Sequence, residues 1–433
     1  MDKKYKVVFI TDLEHSAPRI SNFIHYMKKQ SDFDISLIGS DYNNYLKTSD
    51  FPKDFNYGLN QFLFQREFNL MQKIKRYYPY NKENFINDNY NNKSQPNFFK
   101  DIIKQLIVSI KSFLVNIYLR LNFPDQYIYT CFKYLKLYSD NFNGDNTIII
   151  SSSPYPTSHI SAFLIKKKHP NVKWIADYRD LWSFNHNYSF GKIRKYIDLI
   201  LERKIINSCD LITTVSEPWA LKLNSYFNKE AHVIRNGFSI VKENSKINLL
   251  SNKSEKLYFL YVGTISFNIS DFEIFINGIK NYLRKTNNVQ IEIHFCGNFS
   301  DKLDILISKN NFQSFIKQIG RFNRKETILL QKKYDYLFYF DCISDPGVLL
   351  LKFYEYINAC RPILAFGNNK NSESGKIMNK LNRGIYFTQS NDFTDFLKNK
   401  KNIKEFDLRK KKNTNYSYKY QSMKLIELIK NKF

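Results

Sequence analysis

The sequence predicts an α/β protein of two domains, each built around a parallel β-sheet. Three observations predict it. Short apolar runs alternate with amphipathic helical stretches through both halves, the rhythm of strand–helix–strand units. The chain's 433 residues exceed one compact core and suit two of about 200 residues each. A polar, pattern-free stretch at 242–256, KENSKINLLSNKSEK, separates the halves and is assigned as the linker.

The first half is assigned to 1–241. Strand one is expected at 6–11, where the apolar run is closed by Asp12 and Glu14. A helix at 20–29 and a strand at 35–39 follow. The stretch TIIISS at 147–152 is a further strand, followed by a helix at 158–168 and a strand at 172–176. A helix at 192–208, a strand at 211–215, a helix at 218–227 and a short run ending at 232–234 complete this half. Between 51 and 143 the alternation is lost, and a helical insertion is expected there. Within it, 87–96 (NDNYNNKSQP) is low in complexity and reads as a loop. After it, 98–123 sets Phe99, Ile102, Leu106, Ile110 and Phe113 at helical spacing, with Lys100, Lys104 and Lys111 elsewhere. That helix either packs on the first core or lies on an anionic membrane surface.

The second half is assigned to 257–412. Strands are expected at 257–262, 290–296, 336–339 and 363–366; Gly263, Gly297 and Gly367 close three of them. Helices are expected at 271–284 and 349–360. The tail, 413–433, carries a final helix at 417–431.

Apolar residues make up 43% of the chain and aromatics 17%, which supplies two cores and excludes wholesale disorder. Lys and Arg number 66 against 40 Asp and Glu, a formal charge of +26. An anionic partner accounts for this excess, and so does the codon usage of an A/T-rich genome, since Lys, Asn, Ile, Phe and Tyr are all abundant. The excess is spread along the chain with no compact basic arm, which argues against a nucleic-acid binder. Five cysteines, at 131, 209, 296, 342 and 360, form no CxxC pair and read as reduced thiols of a cytoplasmic protein. The N-terminal apolar run is too short for a signal sequence. No stretch reaches the ~18 uncharged apolar residues of a membrane span. The expected location is the cytoplasm, with peripheral contact at the inner face of the membrane.

At 174–182 the sequence reads WIADYRDLW. A strand ends at Ala176, and Asp177, Arg179 and Asp180 follow in its exit loop, where ligands of open α/β sheets bind. The three either hydrogen-bond a polyol or form an Arg–Asp network that orders the loop, with Trp182 as a packing anchor.

The stretch SSSPYPTSHISAFLIKKKHPNVKWIADYRDLW at 151–182 resembles the GT4-like glycosyltransferases of bacterial surface-polysaccharide pathways. CDLITTVSEPWALKL, VIRNGF and FPDQ are similar to further segments of that group. So are LYFLYVGTI, IEIHFCGN, GRFNRKE and LKFYEYINACRPILAF in the second half. The resemblance covers 6–40 loosely and 120–390 well. It implies a GT-B fold: two Rossmann-like lobes facing across a cleft, with the C-terminal helix crossing back to the first lobe.

The resemblance also implies roles. Gly347 precedes the helix at 349–360, whose N-terminal amides and dipole suit a diphosphate. Lys352 in its first turn would add a full charge as the nucleotide leaves. Glu355 is expected to hold the ribose hydroxyls; as a plain helix pair, Lys352 and Glu355 would instead be an i,i+3 ion pair. Gly263 ends the first strand of the donor lobe. Arg321, with Arg324 and Lys325 behind it, contacts base or phosphates or is a solvated basic turn. Arg19 and, more weakly, His15 and His159 are candidates for acceptor or phosphate contacts; a buried structural role is the competing reading of His159. Asp180, Arg179 and Asp177 would organise the acceptor side.

Two departures from the group's pattern stand out. Gly347 occupies the place of a second carboxylate eight residues before the ribose glutamate, with Asp345 two residues away. VGTISFNISDF lacks the Arg and Lys that grip the diphosphate after the first strand of the donor lobe. The implied partners are a nucleotide-diphosphate sugar and a glycan or lipid-linked acceptor, with retention of anomeric configuration. No metal and no cofactor is expected, since no DxD or His/Asp ligand set stands out. A P-loop, a GxGxxG fingerprint and a Ser/His/Asp set are also absent from the sequence. The alternatives are a non-catalytic GT-B-like binding protein and a nucleotide-sugar epimerase on the same fold.

Overall fold

The computed structural model describes residues 5–13, 18–40, 60–64, 123–239, 250, 256–264, 269–286, 290–341, 345–399 and 405–433. The chain divides into two units, one of residues 1–20 and 32–212, the other of 21–31 and 213–433. The described strands form two sheets. The architecture is α/β, with two lobes of the GT-B type.

The first sheet takes β1 (Lys6–Asp12), β2 (Asp34–Ser40), β3 (Asn60–Phe64), β4 (Thr147–Ser152), β5 (Lys173–Tyr178), β6 (Leu211–Thr214) and β7 (Ala231–Val233) in the order β3-β2-β1-β4-β5-β6-β7. The pairs β1–β2, β1–β4, β2–β3 and β4–β5 are parallel. A parallel strand covered on both faces reads as a continuous apolar run rather than an alternation. VVFI in β1 and III in β4 are such runs, and Val7, Val8, Phe9, Ile148 and Ile149 are fully buried. Helices α1 (Arg19–Gln30), α2 (Cys131–Asn141), α3 (Pro156–Lys168) and α4 (Lys192–Ile206) follow in the chain, and α5 (Glu217–Phe227) links β6 to β7.

Strand β3 and helix α2 fall inside the range expected to be a helical insertion. The sequence NQFLF carries too little pattern to announce a strand; pairing with β2 from Ser36–Asn60 to Ser40–Phe64 makes it one. The basic amphipathic stretch at 98–122 and most of the linker lie outside the described residues.

The second sheet comprises β8 (Leu257–Val262), β9 (Ile291–Cys296), β10 (Ile316–Gly320), β11 (Tyr336–Phe340), β12 (Ile363–Phe366) and β13 (Gly384–Phe387). The order β10-β9-β8-β11-β12-β13 is that of a Rossmann sheet, and every neighbouring pair is parallel. The connecting helices are α6 (Ile269–Arg284), α7 (Asp301–Lys309), α8 (Arg324–Gln331), α9 (Leu351–Ala359), α10 (Glu373–Leu381) and α11 (Ser390–Asn399). One face of this sheet is packed with phenylalanine. Phe275 of α6 is fully buried and its ring meets Phe295, Phe338, Phe340, Phe366 and Phe393 at centroid distances of 5.1–6.3 Å.

The last helix, α12 (Tyr418–Lys432), is capped by Ser417, whose Oγ accepts the Tyr420 amide. Tyr418 meets Phe23 of α1 edge-on at 5.9 Å, Gln421 accepts the Arg235 amide at 2.7 Å, and Lys424 donates to the Val233 carbonyl at 3.0 Å. Gly237 makes this approach feasible: a Cβ there would lie 2.6 Å from the Tyr418 nitrogen.

Helix α4 turns its two acids inward. Asp198 accepts from the Trp182 indole at 3.1 Å and from Tyr188. Glu202 is fully buried and accepts from Tyr178 Oη at 2.8 Å and from the Ser183 amide at 3.1 Å. Burial pushes the Glu202 carboxyl up to about 7, against the pull of those two donors. A carboxyl raised in the folded state costs stability as pH climbs from its unfolded value toward 7. Glu202→Gln can donate its amide to Tyr178 Oη while its oxygen keeps the Ser183 amide. The stability advantage of wild type over this variant is therefore expected to shrink between pH 5 and 8. Thermal denaturation across that range reads it, and a pH-independent difference would refute the assignment.

Candidate functional site

Ligands of open parallel sheets bind beyond the carboxyl ends of the strands where the order reverses. In the second sheet that point lies between β8 and β11. Gly263 follows β8 with φ +115°, a left-handed conformation that favours glycine. Beside it, Thr264, Gly297, Asn298, Arg321, Phe322 and Thr327 line a recess of about 290 Å³.

Lys352 is the second residue of α9, and its side chain runs back to the end of β8. Its Nζ donates to Tyr261 Oη at 2.7 Å and stands 4.2 Å from the centroid of the same ring. A Cβ on Gly263 would lie 2.8 Å from that Nζ, so the glycine leaves room for the ammonium. One ammonium thus stands beside Gly263, contributed by a residue 89 positions on. Burial lowers the Lys352 ammonium to about 8, with the Glu355 carboxylate working in the opposite direction. The Tyr261 hydroxyl, raised by burial, stays neutral.

Glu355 lies one turn along α9. Its Oε1 is 3.3 Å from the Arg324 guanidinium, and its Oε2 accepts from Gln331 at 3.5 Å. Lys352 does not reach it as an ion pair; the lysine is spent on Tyr261 instead. Arg324 begins α8, whose start is fixed by a capping box between Asn323 and Glu326. Arg321 is exposed on the rim of the recess.

Helix α9 begins at Leu351, two residues later than the sequence pattern suggests, and Leu350 gives it no side-chain cap. The preceding turn is tied down locally. Asp345 is buried, accepts the Gly347 amide at 2.9 Å and the Trp219 indole at 3.1 Å, and has Lys222 at 3.7 Å. Asp345 therefore does not stand in for the carboxylate missing at Gly347. That glycine packs against Trp219, where a Cβ would lie 2.3 Å from the indole.

In the first sheet the order reverses between β1 and β4. Here the structure joins two residues that the sequence offered separately. Arg19 and Asp177 form a bidentate pair, Nε–Oδ2 at 3.1 Å and Nη2–Oδ1 at 2.8 Å, with side chains 1% and 4% exposed. Ser152 Oγ donates to the same carboxylate at 2.8 Å. Asp180 is half-buried; its backbone exchanges two hydrogen bonds with Ser153 Oγ at 3.0 Å. Arg179 is half-buried too, and its Nη1 has no partner among the described residues.

His159 is fully buried, with Nδ1 2.8 Å from Ser151 Oγ. Ser151 already accepts from the Trp174 indole, so its hydroxyl is free to donate to Nδ1. Burial holds the imidazole down at about 4, leaving it neutral near pH 7. His15 lies outside the described residues.

Three features escaped the sequence reading. Tyr261 is one apolar-run tyrosine among several until Lys352 is placed on it. Asp341, at the carboxyl end of β11, is buried and accepts from Ser374 and Tyr386 at 2.8 Å each and from Ser372 at 2.5 Å. Arg235 of VIRNGF pairs with Glu373 through Nε at 3.1 Å and reaches Glu217 at 3.3 Å. Among the described residues no group of three His, Cys, Asp or Glu side chains could hold a metal ion.

No family model and no curated protein matches the sequence. Solved structures do. A lipopolysaccharide outer core galactosyltransferase, WaaB, superposes with a TM-score of 0.56 at 13% identity, covering 99% of this chain and 100% of its own. A variant of S. aureus TarM in complex with UDP gives 0.58 at 13% identity, over 98% and 99% of the two chains. A Listeria monocytogenes structure described as a UDP-N-acetylglucosamine 2-epimerase gives 0.57 at 10% identity, over 99% and 96%. At these identities the likeness is one of fold.

Proposed function

We propose that the protein is a glycosyltransferase of the GT4 kind that moves a sugar from a nucleoside diphosphate to a glycan or lipid-linked acceptor in cell-surface polysaccharide synthesis. One observation carries the reading. A lysine at the start of α9 is buried beside Gly263, at the carboxyl end of β8, with Glu355 one turn on and a recess at Gly263 and Gly297. The fold likeness to WaaB and to UDP-bound TarM supports it.

In this reading the base enters the recess at Asn298, Arg321 and Thr327. Glu355 takes the ribose hydroxyls in place of Arg324 and Gln331. Lys352 and the uncapped N-terminus of α9 meet the diphosphate. The sugar–phosphate bond breaks and the acceptor hydroxyl adds to the anomeric carbon from the face the diphosphate leaves, its proton passing to the departing phosphate oxygen; the charge on the diphosphate is matched by Lys352 rather than by a metal. Retention of configuration and peripheral contact with an anionic membrane belong to the same reading. Asp180 and Arg179 are proposed on the acceptor side.

Purified protein is expected to be stabilised against heat by one of UDP, GDP, ADP, CMP and dTDP. Glu355→Ala should lose most of that shift while keeping its own melting temperature within a few degrees. No shift with any nucleotide would favour the non-catalytic reading. The epimerase reading is favoured by the Listeria likeness; conversion of a UDP-sugar to its 2-epimer without an acceptor would replace the transferase proposal.

A further inference from the structure

Helix α4 is inverted relative to an ordinary surface helix. An amphipathic helix on a sheet buries its apolar stripe and shows its charges to water. Here Asp198 and Glu202 face inward with Ile205 and Ile206, fixed by Trp182, Tyr178 and Tyr188. Ile193, Tyr196, Ile197 and Ile200, spaced i, i+3, i+4 and i+7, point outward and are 81%, 67%, 49% and 54% exposed. Four large apolar side chains in one stripe on one helix are not the scattered exposure usual for a protein surface.

The exposed charges of the helix itself have one sign. Lys192 and Lys204 are exposed at the two ends of the helix, and Lys195 is half-exposed between them. Both acids of the helix are buried, so none opposes them. Just past the C-terminal end, Ser208 lines a recess of about 270 Å³ with Phe163, Lys166 and Lys167 of α3, where Lys166 is paired with the exposed Asp210 at 2.5 Å. Among the described residues no helix is long and apolar enough to cross a membrane.

We infer that α4 docks flat on an anionic lipid surface, its Ile193–Ile200 stripe entering the headgroup boundary and its lysines meeting lipid phosphates. An apolar stripe flanked by lysines, with no exposed acid on the helix, matches a negatively charged bilayer. A protein partner buried against the same stripe would give no reason for the lysines along the helix. This inference gives the membrane contact of the preceding reading a surface, but stands on the face of α4 alone and not on Lys352 or Glu355.

The test is co-sedimentation of the full chain with vesicles of equimolar phosphatidylglycerol and phosphatidylcholine, against phosphatidylcholine alone. Wild type is expected to bind the anionic vesicles, and to release as salt is raised. Ile197→Glu with Ile200→Glu should lower partitioning about tenfold or more, and Lys192→Glu with Lys204→Glu should lower it and flatten the salt dependence. Both variants change exposed side chains, so melting temperature and any nucleotide-induced shift should stay at wild-type values; loss of the nucleotide shift in wild type would touch only the donor-site reading. Failure of wild type to bind overturns the inference. So does undiminished binding by the Ile197/Ile200 variant, which would move the contact elsewhere on the chain. A wild-type dimer that this variant converts to monomer, with vesicle binding unchanged, would reassign the stripe to a second copy of the chain.

Discussion

Exchanging Arg19 for methionine is expected to destabilise the fold by about 3–5 kcal/mol. The guanidinium and the Asp177 carboxylate lie almost wholly out of water and satisfy each other through two bonds. Removing one partner leaves a buried charge whose hydration was given up on folding. The one neutral hydrogen bond from Ser152 does not match two charge-assisted bonds. Arg19→Met combined with Asp177→Leu removes both charges and should recover much of the loss, because a well-packed apolar pair is often no less stable than a buried ion pair. Urea denaturation of the two single variants and the double variant measures the coupling. A single-variant loss below about 1 kcal/mol, the range of an exposed pair, would show that the two are not mutually required and would return Arg19 to the list of ligand-binding candidates. The expected result makes Arg19 and Asp177 the brace under the WIADYRDLW loop.

The Arg19–Asp177 pairing was only half legible in the sequence. Both residues stood out, each in its own motif, but 158 positions separate them. No local pattern says that the arginine at the start of α1 ends on the carboxylate leaving β5. The same holds for Lys352 and Gly263. The sequence showed a lysine in a first turn and a bare glycine after a strand, and only the Rossmann order of the second sheet sets one against the other. Local readings did well where burial is continuous. β8 and β12 occupy the residues their apolar runs announce, because a strand covered on both faces needs no alternation. They did poorly where polarity is inverted. In α4 the isoleucine spacing alone would turn Ile193, Ile197 and Ile200 inward; the indole and hydroxyl partners of Asp198 and Glu202 decide otherwise, and they come from 178–188 rather than from the helix. β3 became a strand only through its neighbour β2.

Lys352 gives the second large effect, and its sign depends on what is measured. Burial beside Tyr261 lowers its ammonium to about 8. A lysine depressed in the folded state is neutral there while still protonated in the unfolded chain over the window from 8 to its ordinary value near 10.5. The unfolded state then binds more protons, so stability from this group rises with pH across that window. Nucleotide binding should run the other way. A diphosphate favours the charged lysine, and above pH 8 each binding event must first take up a proton. Affinity for the nucleotide identified in the thermal screen is therefore expected to fall about 30-fold between pH 7 and 9.5 if the bound lysine stays protonated throughout. Lys352→Arg keeps the charge at every pH in this range and should flatten that fall, although its planar head will not reproduce the seat on Tyr261. Lys352→Met should bind weakly at pH 7 and show little further loss at 9.5. Calorimetric titration at the two pH values, in buffers of different ionisation enthalpy, reads both the affinity and the proton taken up. A wild-type affinity that is level from pH 7 to 9.5, with no proton uptake, would place the diphosphate away from Lys352 and remove the central element of the donor site.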